Sequence, residues 1–151
     1  SQQRSAAATA VLAGQLYMCG GTDGQAVLNS AERFDVASGA WQELPPMAQC
    51  RRDVLASVAG GCLYVCGGYD GEAGLRSAER FDPASGVWSV LPQMLRRRRG
   101  ASAAVIAGRL HVCGGRGEQG TAERFDPATG TWEPLPSMQS CRQYAAVAIF
   151  S

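Results

Sequence analysis

The sequence predicts an all-β chain made of small four-stranded antiparallel blades, the building units of a β-propeller, and three observations predict it. The segment "LYMCGGTDGQAVLNSAERFDVASGAWQELPPM" from Leu16 returns as "LYVCGGYDGEAGLRSAERFDPASGVWSVLPQM" from Leu63 and as "LHVCGGRGEQGTAERFDPATGTWEPLPSM" from Leu110. Each copy holds short alternating apolar runs separated by turns rich in Gly, Asp and Pro, which is strand rather than helix patterning. A repeat of roughly 40 to 50 residues with four strands per unit is the sequence mark of stacked propeller blades.

The first strand of each unit, such as "GASAAVIAG" at 100–108, is dominated by Ala, Gly and Ser, which suits the narrow space near a propeller axis. The chain opens on such a strand over Arg4 to Ala13. The second strand alternates and ends on a Gly pair: Gly20-Gly21, Gly67-Gly68 and Gly114-Gly115. An Asp-Gly at 23–24 and 70–71 marks the loop that follows; the third copy lacks it and is three residues shorter between Gly115 and Ala122. The third strand holds "AERFD", starting at 31, 78 and 122, and "DPASG" or "DPATG" turns the chain into the fourth. Trp41, Trp88 and Trp132 lie in the fourth strand, large enough to fill the wider outer gap between blades, with an indole N–H that seeks a carbonyl.

The units run over approximately 4–50, 51–97 and 98–141, and 142–151 repeats the first strand once more. Three blades and an extra inner strand are either a partial propeller cut from a longer one or half of a six-bladed ring completed by self-association. Thirteen strands where two chains need twelve each favours the partial propeller.

Fourteen basic against thirteen acidic residues leave a net charge of +1, so no broad basic surface for nucleic acid is expected. The tract "LRRRRG" at 95–100 divides by register: Arg98 aligns with Arg4, Arg51 and Arg142 as a repeated structural residue, and Arg99 stands just beyond it. No apolar run approaches the roughly 18 residues of a membrane span. Cys19, Cys66 and Cys113 recur every 47 residues, displaced by a whole unit and so beyond the roughly 7 Å reach of a disulfide. Reduced thiols fit a cytoplasmic protein. Cys50 precedes Arg51-Arg52, where positive charge favours thiolate, so it reads either as a redox-sensitive or as an inert thiol.

Catalytic readings fail on the residues themselves. The single histidine, His111, occupies the register of Tyr17 and Tyr64, an aromatic strand position. Glu32, Glu79 and Glu123 repeat in every unit, as scaffold hydrogen-bonding groups do. Neither a nucleophile triad, a metal cluster nor a phosphate loop is present in the sequence, so no enzyme activity, metal or cofactor is expected.

The Gly pair, the following Asp-Gly, "AERFDP" with its Trp, and "LPxM" with Arg four residues after the Met resemble kelch repeats, most closely those of BTB-kelch proteins. The likeness covers all three units over nearly their full length. It implies a propeller of about six blades that binds a protein or peptide through its loops. Carried residue by residue, it implies partner contacts at Thr22, Tyr69 and Arg116, directly after the Gly pairs. It implies further contacts at Ser5, Arg52, Arg99 and Gln143, just after the repeated arginines. Arg52, Arg99 and Arg116 on one rim would suit an acidic or phosphorylated segment. The BTB-kelch likeness implies substrate recognition for a cullin-RING ubiquitin ligase through domains outside this chain; actin binding is the alternative within the family. Enzymes on related scaffolds fit poorly: a kelch-fold copper oxidase needs several histidines, and the D-x-x-x-G-x-W spacing here departs from the Asp-boxes of sialidases.

Overall fold

A computed structural model of the chain describes residues 3–118 and 120–139. They form three four-stranded antiparallel sheets in simple meander order. Blade 1 comprises β1 (Ala8–Leu12), β2 (Gln15–Cys19), β3 (Ala31–Asp35) and β4 (Ala40–Leu44). Blade 2 comprises β5 (Leu55–Ala59), β6 (Cys62–Cys66), β7 (Ala78–Asp82) and β8 (Val87–Leu91). Blade 3 comprises β9 (Ser102–Ile106), β10 (Arg109–Cys113), β11 (Ala122–Asp126) and β12 (Thr131–Leu135). The innermost strands neighbour one another, with β5 between β1 and β9. These are propeller blades, and the described residues include no helix.

The core lies in the gaps between blades. Tyr17, Met47, Leu63, Val65 and Phe81 fill the gap between blades 1 and 2, and Tyr64, Met94, Leu110, Phe125 and Trp132 fill the next. The repeat produces the same contacts twice. Tyr17 meets Phe81 with ring centroids 6.2 Å apart, and Tyr64 meets Phe125 at the same distance. Within a blade, Trp88 tilts against Phe81 and Trp132 against Phe125. The indole N–H of Trp88 donates to the Pro45 carbonyl and that of Trp132 to the Pro92 carbonyl, both at 2.8 Å and both in the preceding blade. The fourth-strand Trp thus closes the gap as its size and polar edge lead one to expect.

The inner strands are shorter than their Ala-rich runs suggest: β1 begins at Ala8 rather than Arg4, and β9 at Ser102 rather than Gly100. The reason is a backbone kink. Ala6, Asp53 and Gly100 take φ of 54°, 50° and 61°, which no strand can hold. The kinked residues bond across the blades instead: the Asp53 N–H donates to the Ala6 carbonyl and the Gly100 N–H to the Asp53 carbonyl, both at 2.9 Å. Arg142, Gln143 and the strand expected over 142–151 lie outside the described residues.

Candidate partner-binding rim

The repeated arginine belongs to two blades at once. Its backbone sits in one: the Arg51 N–H donates to the Leu28 carbonyl, and the Arg51 carbonyl accepts the Gly21 N–H at 2.7 Å. Its side chain reaches into the next, where Nη1 donates to the Gly67 and Ser77 carbonyls and Nη2 to Glu79 Oε1 at 2.9 Å. Glu79 in turn accepts the Ala48 N–H from blade 1 at 2.7 Å. Arg98 repeats this between blades 2 and 3, bonding the Gly114 and Thr121 carbonyls and Glu123. Arg51 and Arg98 are fully buried, and every such charge must be paired where it lies. Arg4 makes the corresponding pair with Glu32.

The Gly pair is the seat for this staple. A Cβ on Gly67 would lie 2.2 Å from the Arg98 carbonyl oxygen, and one on Gly68 would lie 2.8 Å from that of Arg52. Any side chain there would push the staple out.

Just above the staples, the two loop registers expected to touch a partner meet each other. Ser5 bridges Thr22, and Arg52 bridges Tyr69, through reciprocal backbone bonds; Arg116 donates its N–H to the Arg99 carbonyl at 2.8 Å. The Tyr69 ring is the centre of the array. The Arg52 guanidinium carbon lies 5.1 Å from its centroid and that of Arg99, from the next blade, 4.3 Å, while its hydroxyl donates to the Gly71 carbonyl.

The arginines differ in charge state of their surroundings. Arg99 Nε donates to Asp53 Oδ2 at 2.7 Å, in a pair only a fifth exposed or less on either side. Arg52 makes no ion pair among the described residues, and its Nε is buried without a hydrogen-bond partner. Arg116 is exposed, with no side-chain partner among the described residues. Thr22 is spent within its own loop, its hydroxyl donating to the Ala26 carbonyl. Arg96 and Arg97 stand outside the array: Arg96 makes a loose pair with Glu118 at 3.7 Å, and Arg97 donates to the Gly74 carbonyl.

Asp53 is the rim residue that sequence reasoning missed. Its signal was available: in the register of Ala6 and Gly100, blade 2 alone carries a carboxylate, directly beside Arg52. The loop below Tyr69 is fixed by Asp70, whose Oδ1 accepts the Glu72 and Ala73 N–H groups. The Ala73 and Glu72 bonds hold that carboxyl below the usual aspartate range.

The thiols divide by burial. Cys19 and Cys66 are buried and their pKa values are pushed up to about 12; burial also raises that of Cys113. Cys50 is a half-buried thiol, and all five described cysteines are unbridged. His111 Nδ1 lies 3.0 Å from the Arg109 carbonyl. Among the described residues, no group of three or more His, Cys, Asp or Glu side chains is placed to hold a metal. No helix among them is long and apolar enough to cross a membrane.

A family model described as the kelch motif matches residues 3–48, 50–95 and 97–139. A search of the curated proteins finds no match.

Proposed function

The chain belongs to the kelch-repeat family, and from that premise we propose that it captures a short acidic or phosphorylated segment of a partner protein on the rim around Tyr69. The observation that carries this reading is the pairing of two guanidinium groups with one aromatic ring at the loop face. Stacking on Tyr69 pre-orients Arg52 and leaves its planar fork to meet a carboxylate or phosphate with two parallel bonds. Arg116 adds an exposed second cation from the next blade. No covalent chemistry is assigned to the site.

The parent role consistent with this is substrate recognition for a cullin-RING ubiquitin ligase, through domains outside these residues. That finer reading rests on the likeness of the "AERFDP" and "LPxM" segments to BTB-kelch repeats.

A peptide array tests the rim. Acidic and phosphorylated peptides bound by the wild type should lose at least tenfold in affinity on Arg52→Ala with Arg116→Ala, and binding should weaken with added salt. Equal binding by both proteins ends the proposal, and cosedimentation with actin filaments that ignores both substitutions would place function elsewhere on the blades.

A further inference from the structure

Repetition lets one unit serve as the control for another, and three positions of blade 2 have no counterpart in the other repeats. Arg76, Gln93 and Arg97 stand where the first repeat has Asn29, Pro46 and Cys50 and the third has Gly120, Ser137 and Cys141. Blades 1 and 3 build the same strand order without a cation at either place. The fold therefore makes no demand for these two arginines, unlike Arg51 and Arg98.

The three side chains converge. Together with Gln49, Leu75 and Ser77 they line a cavity of about 240 Å³. Gln49 comes from the connection between β4 and β5, residues 75–77 from the end of the β6–β7 loop, and Gln93 and Arg97 from the connection between β8 and β9. Leu75 is buried, whereas Arg76 and Arg97 are exposed.

What the lining offers is almost wholly donors. Arg76 Nε donates to Gln93 Oε1 at 2.7 Å, which commits the carbonyl end of that amide and leaves its NH2 as the unspent end. Ser77 Oγ donates to Gln49 Oε1 at 2.6 Å, with the same result for the second amide. Arg97 Nη1 donates to the Gly74 carbonyl at 2.6 Å. These bonds orient both guanidinium groups but occupy one nitrogen of each, and the other nitrogens have no hydrogen-bond partner among the described residues. No carboxylate lines the cavity. Asp70 senses Arg97, though the Ala73 and Glu72 N–H bonds lower its pKa more, and it stands outside the lining.

We propose that this cavity binds a phosphate monoester, at an anion site separate from the rim around Tyr69, with Arg76 and Arg97 as its cations and Gln49 and Gln93 as its neutral donors. Guanidinium forks match the paired oxygens of a phosphate, and the amides reach its remaining lone pairs. Two guanidinium groups answer a dianion, which favours a phosphate monoester over a single carboxylate. About 240 Å³, against roughly 30 Å³ for one water in the liquid, leaves room for the phosphate and the first atoms of whatever carries it.

Nuclear magnetic resonance on the isotope-labelled full chain tests this. The side-chain NH2 resonances of Gln49 and Gln93 should shift and saturate on titration with O-phosphoserine amide or inorganic phosphate, and stay put with sodium chloride at equal ionic strength. Arg76→Gln with Arg97→Gln should weaken that binding at least about tenfold while leaving the melting temperature unchanged, since both side chains are exposed. Arg52→Ala with Arg116→Ala should leave the same resonances responding as in the wild type, so failure at the rim and failure here are told apart. Tighter binding of phosphoserine amide than of inorganic phosphate identifies a phosphorylated side chain as the source, and equal affinity identifies free phosphate. Resonances that ignore both phosphates, that follow chloride equally, or that respond undiminished in the Arg76, Arg97 variant overturn the proposal.

Discussion

Arg51 and Arg52 are adjacent in the chain, as are Arg98 and Arg99, yet the members of each pair live under opposite rules. Arg51 and Arg98 have almost no exposed surface, and their guanidinium groups are committed to two carbonyls and a glutamate of the next blade. Arg52 and Arg99 lie one residue on, at the rim, over the face of Tyr69, with Arg99 also paired to Asp53. The left-handed residue that follows them turns the chain away from the stapling position. The difference teaches that the number of arginines in a tract says little; the blade register decides whether a cation is buried in the scaffold or lies at the rim.

The largest effect expected from breaking this contrast is at the staple. Arg98→Ala leaves the Glu123 carboxylate buried without its counter-charge, which should cost about 3–5 kcal/mol and lower the melting temperature by on the order of 10 °C. Calorimetry beside Arg99→Ala checks it: the rim substitution should cost about 1 kcal/mol or less, since its pair with Asp53 is partly exposed. Equal losses would dissolve the distinction between the two residues.

A smaller loss is expected at the outer gap. Trp132→Phe keeps an aromatic ring against Phe125 but removes the bond to the Pro92 carbonyl, worth about 1 kcal/mol by urea unfolding. Trp41→Phe should cost less, because no described carbonyl receives its indole N–H and the ring is 37% exposed. The smallest change in stability, and the most informative about the rim, belongs to Asp53→Asn. It removes the negative charge beside Arg99 and should strengthen binding of acidic peptides several-fold by titration, while leaving unfolding nearly unchanged.

Much of this was legible in the sequence because repetition makes each unit a control for the others. The strands, the three-residue deletion between Gly115 and Ala122 and the indole bond across the gap all follow from residue type at a fixed register. So does the assignment of Arg98 to the scaffold. What escaped has a common physical cause. The kink at Ala6 and Asp53 is a backbone conformation that neither residue type announces, and it moved the starts of the inner strands. The Asp53–Arg99 pair joins residues in different blades, and only the packing of one blade on the next brings the carboxylate beneath the guanidinium. That Ser30 Oγ and Arg4 Nε lack hydrogen-bond partners is likewise invisible in a pattern that nearly repeats in all three copies.

The staple has one more consequence, for where this chain can be cut. Because Arg51 keeps its backbone in blade 1 and its side chain in blade 2, the seam of the sequence repeat is not a seam of the structure. A nick between Gln49 and Cys50 would part Arg51 from the β2–β3 loop of blade 1 that its backbone bonds, whereas one at Ala37-Ser38, in the exposed β3–β4 hairpin, would sever none of these ties. Excised single units should therefore fall apart, while chains permuted through the outer hairpins should keep every blade bolted to the next.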